Sequence, residues 1–202
     1  MNLILTDAEL CFADVILPPF SISRGQVITI DWPDYLGSKG VESFLSTLGR
    51  KSPEEHLQST QDMCYANPRE KKFLSQAISS IPRMDELVES LPVELRSRLV
   101  AAMDDTIDVL PGTYRHFVSL HIACMKSCFV GFDASGVDPC GEQYLRNYAI
   151  SRTSAGFGFM YLRFPKAERS DDPCQANKSR TDILECHHQS RFKMARIGRL
   201  YP

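Results

Sequence analysis

Phe20-Ser21-Ile22-Ser23-Arg24-Gly25-Gln26-Val27-Ile28-Thr29-Ile30 is the stretch on which the fold turns. Phe20-Ser21-Ile22 alternates apolar and polar residues, and Arg24-Gly25 is a turn pair. Gln26-Val27-Ile28-Thr29-Ile30 is rich in the β-branched residues that suit a pleated, half-buried surface. The segment therefore reads as strand, tight turn, strand. After it, Asp31 to Gly40 carries Pro33, Gly37 and Gly40 and reads as a loop. Val41, Phe44, Leu45 and Leu48 then share one face at helical spacing. Strand, loop and helix in that order open an α/β unit.

Working outward toward residue 1, Leu3-Ile4-Leu5, Leu10-Cys11-Phe12 and Val15-Ile16-Leu17 read as short strands, and Pro18-Pro19 breaks the chain. In the other direction, residues 53–108 read as mainly helical. Ser52 caps a first helix that holds Pro53, Glu54 and Glu55. Phe73, Ala77 and Ile78 form a second stripe, and residues 84–91 and 93–103 form two more, split by Pro92. Residues 115–126 are helical, Cys128-Phe129-Val130-Gly131-Phe132 is a buried strand, and residues 133–141 are a loop. A helix over 142–150 and a strand over 157–162 follow. This alternation predicts a mainly parallel sheet flanked by crossover helices. Residues 166–182 read as a polar surface loop. Arg191, Lys193, Arg196 and Arg199 make a local basic tail.

The chain has 202 residues, enough for one domain with a real core. A net charge of −2 supplies no chain-wide positive field for nucleic acid, so no nucleic-acid partner is expected. Residues 1–9 lack the basic, then apolar pattern of a secretory signal. No apolar run approaches the roughly 18–20 residues that span a bilayer. The seven cysteines are irregularly spaced, which reads as free thiols in a reducing compartment. Neither Cys124 with Cys128 nor Cys186-His187-His188 has zinc-site spacing, so no metal site is expected. Asp104, Asp105 and Asp108 read as a solvated helix end. Ser119, His121 and Asp133 lack the strand-turn-helix context that a nucleophile elbow needs.

Three phrases, in order, resemble the nucleotide-binding subunit of ATP-binding cassette (ABC) transporters, over about residues 1–162. The first is the strand-turn-strand phrase above. In that family a phosphate loop, GxxxxGK[ST], follows it; here the chain reads Trp32-Pro33-Asp34-Tyr35-Leu36-Gly37-Ser38-Lys39-Gly40. Gly37 fits. Trp32 stands at the first glycine, Ser38 stands at the lysine, and Lys39 comes one place late. Such loops converge backbone N–H groups on phosphate, and the lysine reaches the outer phosphates. A one-residue slip on a helix turns a side chain by about 100°, so Lys39 is expected to point away.

The second phrase, Leu110-Pro111-Gly112-Thr113-Tyr114-Arg115, resembles the signature loop and the start of its helix, with Gly112 retained and Thr113 at the second glycine. The third, Phe129-Val130-Gly131-Phe132-Asp133-Ala134-Ser135-Gly136-Val137-Asp138-Pro139, resembles a strand ending in the magnesium aspartate and D-loop. Its tail, with Ser135, Gly136 and Asp138, matches well. Either Asp133 is the aspartate and Ala134 replaces the catalytic glutamate, or the aspartate has become Gly131. Arg163-Phe164-Pro165 stands where the switch histidine is expected. Gln61 is the candidate for the loop glutamine.

The resemblance implies a P-loop NTPase-like α/β domain over residues 1–165, with a trimmed helical insert at about 53–108. Residues 166–202 form the polar loop and basic tail. It implies a non-catalytic subunit, with no catalytic residue and no cofactor, where an intact relative would hold ATP and Mg²⁺. The degenerate nucleotide-binding set is Gly37, Ser38, Lys39, Gln61 and Asp133. The interface set is Gly112, Thr113, Ser135, Gly136 and Asp138. The implied partners are a second ABC ATPase-type subunit and a membrane permease, and the implied location is the cytoplasm, peripheral to a membrane. An active or half-active ATP-binding subunit and a cytosolic adaptor on the same fold are the alternatives.

Overall fold

The computed structural model describes residues 2–6, 10–12, 15–33, 37–49, 57–59, 63–70, 74–164, 193–194 and 197–200. The strands are β1 (Asn2–Thr6), β2 (Leu10–Phe12), β3 (Val15–Leu17), β4 (Ser21–Ser23), β5 (Val27–Asp31), β6 (Leu57–Ser59), β7 (Cys64–Tyr65), β8 (Phe129–Asp133), β9 (Gly158–Arg163), β10 (Lys193–Met194) and β11 (Ile197–Leu200). The α-helices are α1 (Gly37–Gly49), α2 (Met84–Ser90), α3 (Val93–Ala101), α4 (Gly112–Lys126) and α5 (Pro139–Thr153).

Among the described residues the main sheet runs β11-β5-β9-β8-β7. β5, β9, β8 and β7 are mutually parallel, and β11 closes the edge antiparallel to β5. A parallel sheet needs both faces covered, so its strands are apolar at successive positions. β8 is buried along its whole length and β9 along all but Arg163. On one face Ile28, Ile30, Phe129, Met160 and Leu162 pack with Val41, Phe44, Leu45 and Leu48 of α1. On the other, Val130, Phe132, Phe159 and Tyr161 pack with Phe117 and Leu120 of α4 and Leu145 and Ala149 of α5. The helical stripes of the sequence are the inner faces of this sandwich. Gly131 permits the close seat of α1, since a Cβ there would fall 2.5 Å from Leu45 Cδ1.

Part of the segment expected to be helical pairs as strands. Leu57–Ser59 lies antiparallel to β1, and Cys64–Tyr65 adds to the sheet beside β8. Strand partners distant in sequence override local pattern here. The helix expected from Ser52 falls largely outside the described residues. Among the described residues the insert also holds α2 and α3, flanked by the 3₁₀ turns Ile78–Ser80 and Ile107–Val109. In the segment read as a basic tail, Lys193–Met194 runs parallel to β3 and Ile197–Leu200 pairs with β5.

Candidate functional site

Asp31, Tyr65, Asp133 and Arg163 are the last residues of β5, β7, β8 and β9, so all four stand at one edge of the sheet. The carboxyl edge of a parallel sheet, where crossovers depart in opposite directions, is where such folds bind ligands. β5 leads to α1 on one face; β8 leads to α5 on the other.

After β5 the chain turns inward. Trp32 is fully buried, its ring 4.9 Å from that of Phe44 and 5.8 Å from that of Phe12. Its Nε1 finds no partner among the described residues. Residues 34–36 lie outside the described structure. Gly37 opens α1 at φ 54, a left-handed conformation that favours glycine. Lys39 is exposed on the first turn of α1. Ser38 is placed by its backbone in the same turn. Arg163 bonds Asp31 (2.7 Å), and the N–H of Trp32 donates to the Arg163 carbonyl, so the position expected for a histidine instead clamps β9 to β5.

After β8 lies Asp133, 2% exposed. Both its oxygens are engaged: Tyr65 Oη donates to Oδ2 (2.5 Å) and the Ser135 N–H donates to Oδ1 (2.7 Å). Burial, followed by the charge and hydrogen bond of Asp133, pushes the Tyr65 phenol far above its ordinary range, so it stays a donor. Ala134 offers no carboxylate. Gly131 sits two residues back, under Leu45. Tyr65 carries no sequence motif, and its two-residue strand gives no periodicity to detect. Gln61 lies outside the described residues.

His116, one turn into α4, donates from Nδ1 to the Gly112 carbonyl (2.8 Å). A carbonyl only accepts, so the neutral ring leaves Nε2 as a bare acceptor. Nε2 is buried without a partner among the described residues. Burial lowers its pKa; Asp133 opposes that shift, and Arg69 and Arg115 add to it.

The two interface phrases meet within the chain. Asp138 caps α5, accepting from the Gly141 N–H (3.0 Å) at Oδ1, and Thr113 Oγ1 donates to its Oδ2 (3.2 Å). The bond from Gly141, then the one from Thr113, hold this carboxyl below its usual range. Gly136 takes φ 78, and a Cβ on Gly112 would stand 3.5 Å from the Gly136 carbonyl. Gly141 is wedged further: a Cβ there would meet Val137 and Thr113 at 2.6 and 2.8 Å. Thus Gly112, Thr113, Gly136 and Asp138 form one junction between the starts of α4 and α5, and Ser135 ties its approach to Asp133.

A magnesium ion takes carboxylate oxygens and waters in near-octahedral array; here each Asp133 oxygen accepts one protein donor, which uses two of the carboxylate's roughly four lone-pair sites. Among the described residues no group of three or more His, Cys, Asp and Glu side chains converges.

No protein-family model and no curated protein sequence matches the chain. Solved structures do. The chain is similar to MJ1267, an ATP-binding cassette of an ABC transporter, with TM-score 0.57, 15% identity and 83% of each chain covered. It is also similar to cbiO1 from Clostridium perfringens, part of the ABC transporter complex cbiONQ (TM-score 0.54, 12% identity, 81% of this chain and 78% of that one). A third similar structure is the complex of archaeal ribosomal stalk protein aP1 and archaeal ribosome recycling factor aABCE1 (0.52, 16%, 81% and 34%). The fold is that of the ATP-binding cassettes, a P-loop NTPase-like parallel sheet with antiparallel strands from the first part of the chain.

Proposed function

We propose that the chain is a non-catalytic subunit of ABC type, which pairs with a second ATPase-type subunit and docks on a membrane permease. It would then work from the cytoplasm, at the membrane's inner face through its partner; no helix among the described residues is long and apolar enough to cross a membrane. The observation that carries this reading is the engagement of Asp133 by the protein's own donors. In a working site this carboxylate would face Mg²⁺ and orient a charge-neutralising cation on phosphate. Here the Tyr65 hydroxyl and the Ser135 amide each donate to one of its two oxygens, so the protein's own donors hold the buried carboxylate. Trp32 supports the same reading, since it spends the first position of the phosphate loop on an aromatic core. Transport is favoured over another role by the solved transporter cassettes, of which the chain covers about four-fifths. The fold alone does not fix function.

The test is calorimetric titration of the purified chain with Mg-ATP, alongside a thermal shift. Binding at a hundredfold excess over Kd would raise stability by about 2.7 kcal/mol; the expected result is neither heat nor shift. Clear binding with turnover of roughly 1 per second or more would make the chain an active subunit. Co-purification with a membrane permease separates a transport scaffold from a soluble adaptor.

A further inference from the structure

The helical insert over 74–110 is tied to itself at its base. The Ile78 N–H donates to the Asp105 carbonyl (3.0 Å) and the Ile107 N–H to the Gln76 carbonyl (3.1 Å). Ile78, Ile81, Met84, Leu87 and Leu99 join the apolar core that α4 and α5 share. A buried polar link adds to that packing. His121 of α4 is 2% exposed and lies between the insert and α5. Its Nε2 is 3.1 Å from the Pro82 carbonyl oxygen, and its Nδ1 is 3.3 Å from Tyr148 Oη. The carbonyl can only accept, so Nε2 carries the proton and donates. Nδ1 of the neutral ring then accepts from the Tyr148 hydroxyl. Each nitrogen is used, and the neutral Nε2–H ring is the form that uses both as they stand.

The next residue after Pro82 is Arg83, held at φ 58 in the left-handed region. That conformation is unfavourable for a residue with a Cβ, so the turn that presents the carbonyl is held by its surroundings. The charged groups around the ring are Arg83 and Glu86 from the insert and Arg152 from α5; Cys124, also on α4, faces Tyr148. Burial lowers the imidazole pKa most and Arg152 and Arg83 lower it further, against the Pro82 bond and Glu86. Beside the link an open groove of about 390 Å³ runs between the insert and the core, lined by Ser90, Leu91 and Pro92 on one side and Phe117, Tyr144 and Tyr148 on the other.

We propose that His121 is a pH-operated latch that holds the helical insert to the core through Pro82 and Tyr148 when neutral and lets it swing away across this groove when protonated. A proton taken at Nδ1 turns that nitrogen from acceptor to donor, so the Tyr148 hydroxyl loses its bond unless it rotates. The same proton places a cation in a buried site already flanked by two arginines. Opening the groove returns the ring to water.

The experiment uses the whole chain. Ring-nitrogen NMR reads the tautomer and titration of His121, and hydrogen exchange, corrected for the intrinsic pH dependence, reads opening. The latch requires the neutral Nε2–H tautomer at neutral pH and a titration midpoint below 6.5. Between that midpoint and 6.5, amides of residues 78–110 should open up to about tenfold more readily for each unit of acidification, the limit for one proton. Amides of β5, β8 and β9 should keep their protection over the same interval. An Nδ1–H tautomer, a midpoint at or above 6.5, or loss of protection in insert and sheet together would overturn it. Tyr148→Phe removes the hydroxyl that donates to the neutral ring's Nδ1, so insert opening should move to higher pH; an unmoved midpoint also overturns the latch.

Discussion

The loop after β5 and the loop after β8 flank β9 at the same edge of one sheet, yet they treat their sequences in opposite ways. After β8, the residues of the D-loop-like phrase serve the fold: Asp138 caps α5 and accepts from Thr113, and Gly136 turns the chain at φ 78. After β5, the position expected to be a bare glycine holds a buried indole packed at a tilt against Phe12 and Phe44. Structural duties account for the residues of the phrase after β8, and core packing accounts for Trp32 after β5. Asp133 stands between these cases, kept as an acid but turned toward Tyr65.

The sharpest way to break this comparison is Trp32→Ala. If Trp32 is a core residue, the change costs about 3–5 kcal/mol in denaturant unfolding and gains no nucleotide binding. A variant of unchanged stability that binds Mg-ATP would return this loop to phosphate. Asp133→Ala comes next. It leaves the half-buried Tyr65 hydroxyl without its acceptor and should cost about 1–3 kcal/mol, with no change in nucleotide affinity to accompany it. Loss of measurable Mg-ATP binding at wild-type stability would make Asp133 a metal ligand after all.

Acidification tests the helix between the two loops. His116 and His121 are both buried on α4 with pKa values lowered chiefly by burial. The unfolded chain takes up these protons first, near pH 6.5. Their contribution is therefore complete above that value and drains away as pH falls toward the folded midpoints. Between these limits stability should fall by up to about 1.4 kcal/mol per pH unit for each histidine, read from urea curves across the interval; a flat profile would mean that the rings are accessible. At the junction after β8, Asp138→Ala should cost about 1 kcal/mol through the lost cap. The smallest effect is expected at Lys39→Ala, within about 0.5 kcal/mol in stability and without effect on nucleotide binding.

Much of the fold can be read from the sequence wherever one element supplies its own pattern. The stripes of α1 and α4 and the apolar runs of β8 and β9 emerge within a residue or a few of their observed limits. What cannot be read depends on partners far along the chain. Leu57–Ser59 is a strand only because β1 lies beside it, and Ile197-Gly198-Arg199-Leu200 looks like a charged tail until it is laid along β5. At the candidate site, Asp133 and the Thr113–Asp138 junction belong to phrases visible in one dimension. Tyr65 and His116 do not. Tyr65 reaches Asp133 from 68 residues away, and His116 sits on a helix whose periodicity marks it only as inward-facing.

The pairing of β11 with β5 orders events during synthesis. Val27 to Ile30 leave the ribosome early, but the strand that borders them spans residues 197–200 and is made long afterwards. Until then β5 presents a row of unsatisfied backbone groups along one flank, a template for stray pairing with another nascent chain. Such a distant contact also has a large loop-closure cost before it returns any stabilisation, which slows completion of the sheet. Chaperone demand in the cell should therefore depend on how long translation takes to reach residue 200, and clipping of the chain before residue 197 should expose the same flank in the finished protein.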